Sequence, residues 1–181
     1  HYIETLDKDD PFKVIYGVEG YLVDDLQDVA VNEKGQSLKG TYVVFDLETT
    51  GFSSVKDKII EIGAVKVENG EITDKYSTFV NPKIPIPFRI TQLTSITDEM
   101  VMNAPDIEVI LPQFLEFVGD AVLVAHNASF DVSFIEENCR NQGVEPDFTS
   151  VDTVGLARVL LPTLSKFKLN VVAQALNISQ E

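Results

Sequence analysis

The chain has 181 residues, 44% of them hydrophobic, which suffices for one well-buried domain but is short for two. Its 14 basic and 29 acidic residues give a formal net charge of −15, so it lacks the basic surface of a stand-alone duplex-binding protein. The single cysteine, Cys139, excludes an intrachain disulfide and a thiolate zinc site, and no apolar run approaches the roughly 18 residues of a membrane span, so we expect a cytoplasmic protein without membrane contact.

Residues 1–40 are rich in acidic and turn-forming residues and are predicted to form a flanking arm. Two strand-like stretches lie within it, at 12–16 and 20–23. A histidine instead of a methionine at position 1 is typical of a tag remnant. We therefore expect both ends of the chain to be cuts in a longer protein.

From residue 41 onward the pattern predicts a mixed α/β sheet. The predicted strands are, in chain order, 41–48, 59–67, 72–80, 121–125 and 150–152, and the predicted helices begin near 97, 107, 127, 153 and 169. Asn69-Gly70 is a strong hairpin signal between the second and third strands. Three antiparallel strands followed by parallel βα units predict one domain over 41–181, with helices on both faces of the sheet.

Three acidic residues are predicted to meet at one edge of this sheet. Asp46 and Glu48 lie two residues apart at the carboxyl end of the first strand, so their side chains share a face. Asp131 lies in the first turn of the helix after strand 121–125, and neighbouring strands would bring the three together. Three carboxylates favour Mg²⁺ or Mn²⁺ and phosphoryl chemistry. The alternative is structural: solvated carboxylates and a helix-dipole contact.

Other polar residues have a functional and a structural interpretation. His126 is the only imidazole besides residue 1, and we expect it to orient or pack rather than react. Asp152 is either a further metal ligand or, as we expect, a helix cap. The stretch 153–179 contains no acidic residue, and its cations are either a phosphate-binding track or ordinary solvated side chains. These cations are Arg158, Lys166 and Lys168.

Three segments resemble parts of the first two motifs of the DEDD 3′–5′ exonucleases, a family with a ribonuclease-H-like fold. They are FDLETTG at 45–51, IEIGA at 60–64 and VAHNASFD at 124–131. Within this family the chain looks most like the proofreading domain embedded in PolC-type replicative DNA polymerases. Residues 16–25 resemble the segment before that insertion, so the arm is expected to be a remnant of the junction with the host's PHP domain.

The resemblance implies that Asp46, Glu48 and Asp131 bind two divalent ions, Mg²⁺ or Mn²⁺, which activate water for attack on the terminal phosphodiester of a single-stranded DNA 3′ end. The implied substrate contacts are Thr49, Thr50, Gly51, Leu93, Ile96, His126, Asn127 and Phe130. The implied partners are the remainder of the polymerase polypeptide and the replisome. The alternatives are an RNA-trimming relative and a catalytically silent scaffold of the same fold.

One part of the family pattern is missing from the sequence. Family members have a third motif, a histidine followed five residues later by a fourth aspartate, and no such pair occurs between Asp131 and Glu181. These residues would supply a metal ligand and the general base, whose loss typically lowers the rate by roughly 10²–10⁴. A polypeptide ending at Glu181 is therefore predicted to be nearly inactive, although its parent is an active exonuclease.

Overall fold

The structure is a computed structural model that describes residues 29–178. Within this range the strands are β1 (Ala30–Val31), β2 (Thr41–Thr49), β3 (Ile59–Glu68), β4 (Glu71–Phe79), β5 (Val122–Ala125) and β6 (Ser150–Asp152). The helices are α1 (Phe88–Thr94), α2 (Asp98–Val101), α3 (Ile107–Val118), α4 (Ala128–Asn141), α5 (Thr153–Leu160) and α6 (Leu169–Ala175). None of these helices is long and apolar enough to cross a membrane.

The six strands form one sheet in the order β1-β6-β5-β2-β3-β4. Strands β2, β3 and β4 are antiparallel neighbours, whereas β5 runs parallel to β2 and β6 parallel to β5. The predicted mixed sheet is therefore confirmed, including the antiparallel pair joined at Asn69-Gly70. All five predicted strands and the helices at 107–118, 128–141, 153–160 and 169–175 lie within a few residues of their expected positions.

The main core lies on one face of the sheet. Alternate residues of β2, namely Val43, Phe45 and Leu47, are buried there beneath α3 and α4. The intervening residues face the other side, where Val44 is 39% exposed. The continuously apolar, β-prone run 41–45 predicts a strand buried on both faces, and this prediction is wrong at Val44, because the described helices cover its face of β2 only in part.

A second, smaller core supports a helix that the sequence did not predict. Helix α1 follows the proline-rich loop, and Ile90 from this helix packs with Ile86, Ile96 and Val101 on Ile60 of β3. With seven residues, α1 is too short to be stable by propensity alone. Burial of these branched side chains against residues distant in sequence stabilises α1 instead. The local sequence pattern therefore did not predict this helix.

The end of the flanking arm belongs to the sheet. The strand-like stretches at 12–16 and 20–23 lie outside the described residues, but β1 pairs antiparallel with β6 at the sheet edge. Asn32 Nδ2 donates to the Asp147 carboxylate at 2.9 Å, and Lys34 forms a 2.7 Å ion pair with the same residue. The structure thus joins residues from about 30 to 36 to the domain that we expected to begin at residue 41.

Asp152 joins the starts of two helices. Its Oδ1 accepts hydrogen bonds from the backbone N–H groups of Asn127 at 2.8 Å, Ala128 at 3.3 Å and Val154 at 3.0 Å, and its Oδ2 accepts from Gly155 at 3.3 Å. These are the unpaired donors at the amino ends of α4 and α5. The expectation of a cap is therefore confirmed, and one carboxylate serves two helices.

We predict that Asp152→Ala lowers the free energy of unfolding by about 3 kcal/mol, because two helix starts lose their cap together. Asp152→Asn keeps the Oδ1 acceptor, so its free energy of unfolding should lie between those of the wild type and Asp152→Ala. Urea unfolding followed by circular dichroism measures both. The matched control is Asp106→Ala, since Asp106 occupies the N-cap position of α3 without capping it and makes only an exposed ion pair with Lys83. A cost of Asp152→Ala no larger than that of the control, less than about 1 kcal/mol, would contradict this assignment.

Candidate active site

The site forms where β2 extends beyond its parallel neighbour. Pairing between β2 and β5 covers only Tyr42–Val44 of β2, after which β5 ends and β2 continues to Thr49. The backbone N–H of Leu47 donates instead to Asp131 Oδ1 at 3.1 Å. The predicted neighbourhood of the two strands is confirmed, and it places Asp131 beside the segment that carries Asp46 and Glu48.

A left-handed residue turns the chain from β5 into α4. Asn127 adopts φ 70° and ψ 52°, a conformation that asparagine tolerates better than most residues. Its N–H is held by Asp152. The helix that begins at Ala128 therefore points its first turn back towards β2, and Asp131 lies in that turn. The sequence placed Asp131 correctly but did not indicate the turn that directs it.

Asp131 is a buried carboxylate, only 2% exposed. Burial and the nearby Asp46 charge raise its pKa to about 7, against the lowering effect of the hydrogen bond from Leu47 N–H. At neutral pH the group is therefore close to half ionised. A buried carboxylate in this state is typical of a functional site, where a cation or a proton compensates the charge.

The two acids of β2 are also perturbed. Burial raises the pKa of Asp46, with an opposing effect from His126. Burial, followed by the Asp46 and Glu61 charges, raises the pKa of Glu48. Glu61 is directly opposite Glu48 on β3, so this edge holds a fourth acid that sequence analysis missed. Only the strand register could have found it, because two acids 13 positions apart show no local pattern.

The carboxylate oxygens at the carboxyl end of β2 are suitable ligands for a divalent cation. Asp46, Glu48 and Asp131 offer only carboxylate oxygens, the ligand type that Mg²⁺ and Mn²⁺ prefer, and their raised pKa values indicate negative charge without a counter-ion. Across residues 29–178, no group of three or more acidic, histidine or cysteine side chains is already arranged to hold a metal. The residue types fit the ions, but their side chains are not preassembled.

The loop after β2 is closed by the side chains expected to contact substrate. Thr49 Oγ1 donates to the Gly51 carbonyl at 2.6 Å, and Thr50 Oγ1, in a residue 1% exposed, accepts from Lys58 N–H at 2.9 Å. A Cβ at Gly51 would lie 2.5 Å from the Asp57 carboxylate. Both hydroxyls and the glycine therefore fix the loop, and a substrate contact by this segment remains a prediction.

The apolar residues of the predicted substrate surface differ in exposure. Leu93 on α1 is 74% exposed, whereas Ile96 is 3% exposed and packs in the second core. Ile96 is thus placed to support α1, and its contact with a base stays a prediction. Phe130 is half-buried between Phe52 and Phe134, with ring centroids 6.3 Å and 5.2 Å away.

His126 bridges two parts of the chain. Its Nε2 donates to the Phe167 carbonyl at 2.8 Å, and its Nδ1 lies 2.9 Å from Thr153 Oγ1. That hydroxyl is also 3.2 Å from the Ala125 carbonyl. Both ring nitrogens have internal partners, which agrees with the expectation that His126 orients other groups. Asn127, in contrast, is exposed, so its side chain is available for the predicted contact.

Comparisons with known proteins agree with this geometry. A family model described as Exonuclease matches residues 43–181. The DNA polymerase III PolC-type of Clostridium perfringens is 57% identical over 174 residues, which are 96% of this chain and 12% of that protein. The protein of the same name from Caldanaerobacter subterraneus is 53% identical over 162 residues, 90% of this chain and 12% of that protein. The chain therefore spans about an eighth of the length of these curated relatives.

Solved structures show the same fold. Exonuclease X in complex with 5′-overhanging duplex DNA has a TM-score of 0.61 and 29% identity, covering 77% of this chain and 75% of that one. Product-bound exonuclease I has a TM-score of 0.69 at 14% identity, covering 79% and 40%, and supports the fold alone. The predicted ribonuclease-H-like fold class is confirmed. Because the family model matches most of the sequence, including all three acids at the edge of β2, the chain belongs to the exonuclease family.

Proposed function

We propose that the chain is the metal-dependent 3′–5′ exonuclease domain of a bacterial PolC-type DNA polymerase, where it removes mismatched nucleotides from single-stranded DNA 3′ ends. The observation that supports this best is the buried Asp131 carboxylate beside Asp46 and Glu48, where burial raises all three pKa values and like charge raises those of Glu48 and Asp131 further. In a scaffold without catalytic activity, these neighbouring buried carboxylates would only destabilise the fold by repelling one another. The polymerase assignment comes from the relatives, which are PolC-type polymerases.

In this proposal Asp46, Glu48 and Asp131 hold two divalent ions, Mg²⁺ or Mn²⁺. The ions, when bound, polarise the attacking water and neutralise charge on the phosphate. The chain's own contribution is position: β2 fixes two carboxylates on one face, and the Leu47 N–H holds the third against the strand. Charge balance then favours binding, since the ions relieve the repulsion among the buried acids.

The surface around the acids suits the end of a single strand. The loop 49–58 is closed by its own hydroxyls, and α1 presents the exposed Leu93. An apolar side chain can pack against any base, which suits an enzyme that must accept every mismatch. We further propose that the domain acts in the cytoplasm, as one part of the polymerase polypeptide in the replisome.

The first test measures metal binding, because this property depends directly on the three carboxylates. Isothermal titration with Mn²⁺ should show binding to the wild-type chain and a loss of affinity of more than about 100-fold in Asp46→Asn/Glu48→Gln, since two ligands are removed. With protein in excess over single-stranded DNA that has a free 3′ end, the wild type should release nucleotides stepwise and slowly. The double variant should release none.

The matched control is Glu71→Gln/Asp74→Asn, which removes the same charge from the exposed edge strand β4. It should bind Mn²⁺ like the wild type. Equal affinity in the active-site variant and the control would show that these carboxylates are not ligands. Trimming of RNA but not DNA would overturn the substrate assignment, and no metal binding with no cleavage would favour the scaffold alternative.

A second prediction concerns the pH dependence of stability without metal. The pKa of Asp131 rises from 3.8 to about 7 on folding, so the folded state binds the proton more tightly than the unfolded state. The contribution of this group to stability is therefore greatest at low pH, decreases as pH rises from about 4 and is lost above about 7, a change of up to about 4 kcal/mol. The melting temperature in EDTA should accordingly decrease between pH 5 and pH 8.

Asp131→Asn removes this effect while keeping an oxygen that can accept from Leu47 N–H. The variant should be more stable than the wild type at pH 8 in EDTA and should gain little from Mn²⁺. Asp120→Asn is the control, because Asp120 is exposed in the turn after α3. If Asp131→Asn and Asp120→Asn show the same dependence of melting temperature on pH, ionisation of Asp131 does not destabilise the fold as proposed.

A further inference from the structure

Three cations lie together on the acid-free part of the chain. Arg158 at the end of α5, and Lys166 and Lys168 in the segment before α6, are all exposed. We call these three residues the cationic strip. Residues 153–179 contain no acid, in a chain with a net charge of −15. The four ion pairs found within residues 29–178 involve other cations, namely Lys34, Lys83 and Arg140.

Phe167 connects the two parts of the cationic strip. It lies between the two lysines in the sequence and is half-buried. The Arg158 guanidinium lies 5.8 Å from the centre of its ring, within the range of a cation–π contact. One aromatic side chain thus holds a cation from α5 beside two cations from the following segment.

The strip is tied to the candidate active site. The Phe167 carbonyl accepts from His126 Nε2, and His126 follows directly on β5. His126 also lines a cavity of about 370 Å³ together with Asp46, Thr153 and Leu169, the residue after Lys168. The cationic strip therefore borders the face that carries the acids, at a place fixed by a hydrogen bond to the end of a core strand.

We propose that the cationic strip binds the backbone phosphates of the single strand next to its terminal nucleotide. The proposal rests on the exonuclease function proposed above. The acid edge attracts a phosphate only through bound cations and repels the rest of a polyanion, so an adjacent positive surface is needed to hold the following phosphates. Lysine contacts to phosphate are independent of sequence, as removal of any mismatched base requires.

The test uses Lys166→Gln/Lys168→Gln. Binding of a fluorescein-labelled oligothymidylate with phosphorothioate linkages at its 3′ end is followed by anisotropy in Mg²⁺ at several salt concentrations. Each lost phosphate contact lowers the slope of log affinity against log salt by about 0.7 for single strands. The double variant should lose about 1.4 from the slope and weaken oligothymidylate and oligoadenylate by the same factor.

The matched control is Lys39→Gln/Lys75→Gln, which removes two exposed lysines from the turn before β2 and from the edge strand β4. It should retain the wild-type slope. Equal slopes in both double variants, or no measurable binding by the wild type, would overturn the proposal. The exonuclease function itself is tested separately, by Mn²⁺ affinity and nucleotide release of the wild type. Failure of that function is therefore distinguishable from failure of the phosphate-binding proposal.

Discussion

The hydrogen bond from Leu47 N–H to Asp131 is the contact on which the site depends. It exists because β5 ends after Ala125 while β2 continues, which leaves the edge of β2 without a strand partner. A buried N–H without an acceptor would be unfavourable, and the carboxylate supplies one. The same bond satisfies the backbone and places an acid beside Asp46 and Glu48, so packing and site geometry have a single cause.

The negative charge at this edge opposes folding, and other parts of the domain compensate for it. Burial raises the pKa of Asp46, Glu48 and Asp131, and Glu61 adds a fourth acid opposite Glu48. The main core lies on the face of β2 opposite Asp46 and Glu48, whereas Asp131 lies on α4, the helix that packs against this core. Apolar burial and the shared cap thus offset the electrostatic strain at this edge, which a bound cation would relieve.

Local patterns predicted most of this architecture, and non-local contacts account for the rest. Alternation along β2 and the position of Asp131 in its helix were enough to propose the three acids, because each depends only on nearby residues. Glu61 depends on the register between β2 and β3, which the irregular loop 50–58 sets. The burial of Ile96 depends on Ile60, far away in sequence. Such facts require the assembled sheet and cannot follow from periodicity.

His126 shows how the fold separates opposite charges over a short distance. His126 lowers the pKa of Asp46, and its Nε2 donates to the Phe167 carbonyl at 2.8 Å, which fixes the segment that carries the two flanking lysines. In the proposed function, a nucleic acid strand that meets both regions would be held in two ways, by cations at its terminal phosphate and by side-chain cations farther along. Because the His126–Phe167 hydrogen bond fixes the lysines relative to the acids, the end of the strand and its following phosphates would be bound in a fixed order.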